Sequence, residues 1–256
     1  FGKSKKIGIV WDEFEKNKNK QYLIKNVIRK LEIPPLNLET INFLKWFSEY
    51  NLVPIGMSLK LHFLSNEAIE VQNSEELKKY NECKKANEIK LSNEQLTSVN
   101  AITKNDNKFR VYVIQGTTGS GKTIVYFNSL KKKINEGFQG LILLPEIGLT
   151  GEFQKKFKEF FGFNAAVWHS SVTKKNKKII WNGVATGKIK VLIGARSSLF
   201  LPFRNLGIIV VDEEHDQSYK QDEGIIYNAR DMAISRASFA NIPINLVTAV
   251  PSIETF

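Results

Sequence analysis

Gly116-Thr117-Thr118-Gly119-Ser120-Gly121-Lys122-Thr123 satisfies the pattern G-x-x-x-x-G-K-[ST] at every fixed position. That chemistry is phosphate binding. The glycines let backbone N–H groups close around the phosphates of a nucleotide, where a Cβ would obstruct. The loop from Gly116 through Thr117, Thr118, Gly119, Ser120 and Gly121 would form the cradle. Lys122 brings a point charge to the outer phosphate oxygens, and the Thr123 hydroxyl is suited to hold Mg²⁺.

About ninety residues downstream, Ile208-Ile209-Val210-Val211 runs into Asp212-Glu213-Glu214-His215. A buried central strand delivering a carboxylate to its C-terminal end places that group where open α/β sheets bind ligands. Asp212 suits Mg²⁺, directly or through water, and Glu213 can polarise an attacking water as general base. Together with the phosphate loop, the pair describes a nucleotide hydrolase.

The surrounding pattern supplies the elements that would position these groups. Val111–Ile114 is a short β-branched and aromatic run, so a strand feeds the loop. Ile124 to Ile134 predicts a helix ending near Gly137, which sets the phosphates on a helix N-terminus. From Leu91 to the end, strands expected near 111–114, 140–144, 164–168, 190–193, 207–212 and 244–248 alternate with helices, the mark of a parallel α/β sheet.

Upstream, residues 1–64 read as a small mixed α+β unit. A strand is expected at 6–11 and a loop at 12–21, and Pro34-Pro35 forbids a helix there. Helical spacing of Leu38, Ile41, Leu44 and Phe47 stops before Pro54, and Met57 to Leu64 alternates as one more strand. Residues 65–90, rich in Lys, Glu and Asn, read as a charged linker or exposed helix without a core of its own.

The composition is that of an ordinary globular chain, with 42% hydrophobic and 25% charged residues, but its formal charge is +11. Such an excess suits a polyanion, usually nucleic acid or an anionic membrane surface, or else is a Lys-rich compositional bias. The single cysteine, Cys83, excludes an internal disulfide and a cysteine-cluster zinc site, in keeping with a reducing cytoplasm. No apolar run is long enough to span a membrane, and no signal-peptide pattern follows Phe1.

Taken together, the motifs resemble those of superfamily 2 DNA helicases, and among them the primosomal replication-restart helicases. Leu91-Ser92-Asn93-Glu94-Gln95 is similar to the glutamine motif, in which Gln95 would read adenine, implying ATP as the nucleotide. Leu144-Pro145-Glu146-Ile147-Gly148-Leu149-Thr150 resembles motif Ia. Trp168-His169-Ser170 and Gly194 to Phe200 resemble further DNA-facing segments. The run Asp212 to Gln221, with Tyr227-Asn228-Ala229-Arg230-Asp231, closely resembles the restart helicases' motif II region, and Thr248-Ala249-Val250-Pro251-Ser252 looks like motif III. More thinly, Phe1-Gly2-Lys3 with Ile7 to Val10, and Trp46 to Tyr50 with Pro54-Ile55-Gly56, look like the family's N-terminal domain that captures DNA 3′ ends.

The resemblance implies a RecA-like P-loop NTPase lobe over 91–256, a 3′-end-binding unit over 1–64 and a linker at 65–90. It implies ATP with Mg²⁺, forked and single-stranded DNA, primosome and single-strand-binding proteins as partners, and a cytoplasmic location without membrane attachment. By it His215 would relay nucleotide state to motif III, while His169, Arg196 and Ser197 would face DNA. Tyr219, Lys220, Tyr227 and Arg230 form an aromatic-basic loop suited to stacking and phosphate contact, with packing against the motor surface as the other reading. Trp46 and Tyr50 serve equally well as core aromatics or as DNA contacts, whereas Trp181 and His62 read as structural.

Three positions depart from the family pattern: Thr117 for Val, Ile124 for Glu and Val250 for Thr. The chain reads as a fragment ending after motif III, without the second lobe, its arginines or the family's zinc-binding cysteines. A duplex translocase and a DNA-binding scaffold switched by ATP remain rival functions.

Overall fold

Strands whose side chains are apolar on both faces can only be satisfied inside a sheet covered on both sides. β2 (Gln139–Leu143), β4 (Val191–Gly194), β5 (Leu206–Asp212) and β8 (Pro243–Thr248) are of this kind and buried throughout. With β1 (Arg110–Gln115) and β3 (Ala166–Trp168) they form a six-stranded sheet in the order β1-β8-β5-β2-β4-β3, every pairing parallel. The computed structural model describes residues 8–11, 27–63, 75–80 and 89–255.

Helices cover both faces. On one lie α4 (Asn93–Thr103), α5 (Lys122–Asn135) and α6 (Gly151–Phe161), whose Ile102, Val125, Phe127 and Phe157 meet Ile142, Val210 and Val247 of the sheet. On the other lie α1 (Leu38–Tyr50), α2 (Ile55–His62), the one-turn α3 (Glu75–Lys78), α7 (Lys174–Ala185) and α8 (Ala229–Ala240). The six expected strands are all present within a residue or two of their predicted bounds, so the α/β class stands. A two-stranded hairpin, β6 (Lys220–Gln221) with β7 (Tyr227–Asn228), was not foreseen.

The upstream unit departs from expectation. Of the strand expected from Met57 to Leu64, Met57–His62 belong instead to α2 (Ile55–His62), which buries Ser58, Leu59 and His62, a spacing of three to four rather than two, and Leu64 lies outside the described residues. Pro54 precedes the first helical residue, where its fixed φ starts a helix instead of extending a strand. Of the strand expected at 6–11, Gly8–Trp11 carry no regular structure and residues 6 and 7 lie outside the described residues, as do Phe1-Gly2-Lys3 and Cys83.

The described residues of this unit share their core with the sheet. Phe43 and Phe47 of α1 enter the same cluster as Phe200 and Tyr227, with Phe47 and Phe200 ring centres 4.9 Å apart and Phe47 and Tyr227 5.5 Å apart. In the linker, Leu77 and Tyr80 are buried in that cluster too, so the segment is not merely a solvated one. Trp181 is core, its indole N–H donating to the His62 carbonyl at 2.9 Å.

Candidate nucleotide and nucleic-acid site

β1 ends at Gln115 and α5 begins at Lys122, leaving the glycine-rich loop at the C-terminal edge of the sheet. Gly119 and Gly121 take φ of +83° and +85°, left-handed values that glycine adopts without steric cost. No side chain caps α5, so the first N–H groups of the helix lack a protein acceptor of the usual capping kind. Lys122 Nζ lies 2.6 Å from the Gly116 carbonyl oxygen and 3.1 Å from that of Thr117, folded over the loop. An uncapped helix start beneath a lysine and a tightly turned glycine loop fits a nucleotide phosphate chain.

Gln95 braces this loop. As the third residue of α4 it closes a capping box with Ser92, its Oε1 accepting from the Ser92 N–H at 3.0 Å. Its Nε2 donates to the Ser120 carbonyl at 3.0 Å, and a Cβ on Gly121 would collide with that nitrogen. Both ends of the amide that was expected to read adenine are thus engaged by protein in this state.

β5 carries the acidic pair to the same edge, beside the phosphate loop. Asp212 is buried, its Oδ1 accepting from the Glu213 N–H at 3.0 Å and its Oδ2 from the Tyr126 hydroxyl at 2.7 Å. Burial pushes its pKa up and the Glu213 charge adds to that, while the Tyr126 hydrogen bond, the Glu213 N–H and the Lys122 charge pull it down. Glu213 sits at φ +48°, a left-handed turn that costs a non-glycine residue energy and directs the chain away from the strand. Its side chain is about half exposed, as an approach by water requires.

Thr248, at the end of the neighbouring β8, joins the three motifs. Its carbonyl accepts from the Gly116 N–H at 3.3 Å, and its hydroxyl donates to the Val250 carbonyl at 2.8 Å. The same hydroxyl oxygen lies 2.7 Å from Nδ1 of the His215 imidazole. His215 therefore connects the acidic turn to the end of β8. Its Nδ1 also stands 3.8 Å from Glu213 Oε2.

The aromatic-basic loop is different from its expectation. Tyr219 and Tyr227 are buried, 1% and 4% exposed, and present no face to a base. The Tyr219 hydroxyl lies 2.6 Å from the Asp212 carbonyl and 3.0 Å from the Leu143 carbonyl. Burial and the Asp212 charge raise its pKa far above the ordinary phenol value. Tyr227 is pushed up to about 12 by burial, with the Arg196 charge opposing. Packing is the reading that holds for both rings.

Arg230, expected on DNA, is also buried. Its guanidinium stands 3.3 Å from Glu214 Oε2, 2.8 Å from Asp231 Oδ1 and 2.6 Å from Ser252 Oγ. The other predicted contacts stay accessible at the sheet edge: His169 half-buried, Ser197 exposed, Arg196 half-buried with its guanidinium donating to the Lys220 carbonyl, and Lys220 exposed, 3.3 Å from Asp222.

Sequence reasoning missed Glu214 and Tyr126. Glu214 is buried and accepts from the Ser252 N–H at 2.9 Å and the Thr255 hydroxyl at 2.9 Å, so it ties the motif III segment to the acidic turn. Burial alone would raise its pKa, but these donors and Arg230 outweigh it and hold it below the usual value. Nothing local marks either residue, because their partners are distant in sequence.

Comparison with known proteins gives the family of this chain. Residues 92–255 match the DEAD/DEAH box helicase family and residues 1–63 the 3′DNA-binding domain (3′BD) family. The replication restart protein PriA of Rickettsia conorii is 42% identical over all of this chain, and that of Bacillus subtilis 39% identical over 60% of it. This chain spans 38% of the Rickettsia conorii protein and 19% of the Bacillus subtilis one. A structure of RecG bound to a three-way DNA junction aligns over 83% of this chain and 27% of its own, at 21% identity and TM-score 0.48. With the phosphate loop, the acidic turn and the motif III segment assembled on adjacent strands, the chain belongs to the DEAD/DEAH box helicase family.

Proposed function

We propose that this chain provides the ATP-binding lobe and DNA-end unit of an ATP-dependent 3′→5′ DNA helicase that acts at stalled replication forks. The observation that carries the reading is the junction at Thr248. One residue receives the phosphate loop through Gly116 N–H and the acidic turn through His215, so nucleotide state and the segment after β8 are mechanically linked. The match of residues 1–63 to a 3′DNA-binding domain, and the family relation to PriA, support forked and single-stranded DNA with free 3′ ends as substrate. Primosome and single-strand-binding proteins are the partners, and the cytoplasm the location, on the strength of the same relation.

In this reading Lys122 and the first N–H groups of α5 hold the phosphates, and Gln95 reaches adenine once Nε2 leaves Ser120. Thr123 and Asp212 would hold Mg²⁺, which neutralises charge during phosphoryl transfer. Glu213 orients and deprotonates the attacking water. His169, Arg196, Ser197 and Lys220 line the accessible edge where a strand would lie.

Strand displacement on a 3′-tailed fork, using the gene product that carries this chain, tests the proposal. Unwinding should need ATP and disappear in Glu213→Gln while nucleotide binding persists. Unwinding that survives Glu213→Gln, or ATP hydrolysis indifferent to DNA, would argue for a different activity.

A further inference from the structure

We infer that Tyr126 is the positioning residue for the Asp212 carboxylate and so sets the affinity of the site for a divalent cation. This rests on the nucleotide-site reading above. Tyr126 lies one turn into α5, the helix that opens with Lys122 and Thr123, and it is fully buried. Its hydroxyl donates to Asp212 Oδ2 at 2.7 Å, across 86 positions of sequence. One hydroxyl group of the helix that carries Thr123 therefore holds the carboxylate suited to the cation.

The consequence is geometric. Asp212 Oδ1 is fixed by the Glu213 N–H at 3.0 Å, and Oδ2 by Tyr126, so the plane of the carboxylate is set by two donors on two different elements. Each oxygen keeps a second lone pair for a cation or its water. A backbone carbonyl would serve a buried tyrosine hydroxyl as acceptor, as it does for Tyr219. Here the acceptor is instead the carboxylate that the site uses. The brace also belongs to the helix that carries Lys122, so phosphate contacts and metal contacts are held by one rigid element. Groups behind a metal ligand typically change metal affinity about 10–100-fold when removed.

Calorimetric titration of ATP into wild type and Tyr126→Phe, in EDTA and across a Mg²⁺ series, tests this. The phenylalanine keeps the ring and its packing and removes only the donor. ATP affinity in EDTA should stay within about twofold. The Mg²⁺ concentration giving half of the Mg²⁺-dependent gain should rise about 10–100-fold. In an Asp212→Asn background the same substitution should change that concentration little. A Tyr126→Phe protein that melts earlier yet keeps the wild-type Mg²⁺ half-point would overturn the inference and leave Tyr126 as packing. Should the Phe variant not fold, 3-fluorotyrosine at position 126 reads the contact in the folded protein. Its ¹⁹F resonance should shift on adding Mg²⁺ to the ATP-bound protein, and an unmoved resonance overturns the inference as well. A wild type with no Mg²⁺-dependent gain at all would instead remove the nucleotide-site reading itself.

Discussion

The Tyr219 hydroxyl lies 2.6 Å from the carbonyl oxygen of Asp212, so the loop after the acidic turn is pinned to the backbone of the residue that the turn presents. The pin is a neutral hydrogen bond in a buried place, and its second acceptor, the Leu143 carbonyl, belongs to β2. Tyr219→Phe should lower unfolding free energy by about 1–2 kcal/mol in urea titration, with nucleotide affinity unchanged. Wild-type stability in that variant would mean the loop is not anchored there.

Arg230 and Glu214 are a buried pair, and their energetics differ from those of a surface contact. Removing one partner leaves a charge without its counterion, a loss of about 3–5 kcal/mol. Arg230→Met should therefore destabilise the fold strongly, and Glu214→Gln added to it should recover part of the loss. The same Arg230→Met protein, kept cold enough to fold, should show the wild-type salt dependence of DNA binding. A shallower dependence would restore Arg230 to the DNA.

His62 makes stability depend on pH. Burial, with the Arg236 charge second, lowers its pKa to about 3, against opposition from the Phe200 backbone. Between the ordinary value of 6.5 and about 3, the unfolded chain binds a proton that the folded chain refuses. The stabilisation is complete above pH 6.5 and is lost progressively as pH falls below it. One such group contributes a slope of about 1.4 kcal/mol per pH unit. His62→Phe should flatten the melting temperature between pH 6.5 and 4.5 relative to wild type; an unchanged slope would assign the proton elsewhere.

What the sequence made legible was whatever local chemistry constrains. The loop from Gly116 to Thr123 needs glycines and a lysine at fixed spacing, and β5 needs a continuous apolar run before Asp212, so both could be read directly. Tyr219 and Tyr227 could not be. Tyr219 stands among polar residues and Tyr227 between Ile226 and Asn228, and their burial comes from Leu143, Phe47 and Phe200, supplied by elements far away in the chain. Met57 to Leu64 misled for a related reason, because its alternation was short and the helix is set by Pro54 and by packing of Leu59 and His62. Gln95 was found by pattern, but its grip on Ser120 depends on how α4 docks onto the loop.

The formal charge of +11 gives a prediction of its own. Lys and Arg that neutralise phosphates release counterions, so log affinity should fall with log salt by about 0.9 for each duplex phosphate engaged. Anisotropy with a labelled fork at several KCl concentrations reads this slope. A flat line would show the charge to be composition alone.

The central claim is that the loop ending in Lys122 holds the phosphates of a nucleotide. Calorimetry with ATP in wild type and Lys122→Ala measures it most directly, because the lysine now lies over loop carbonyls and its removal leaves α5 and the sheet in place. The account predicts saturable one-to-one binding in wild type and a loss of at least about 10-fold in the variant, with circular dichroism unchanged, since a charge-assisted contact to phosphate contributes about 1.5–3 kcal/mol. Equal affinity in the two proteins would contradict it.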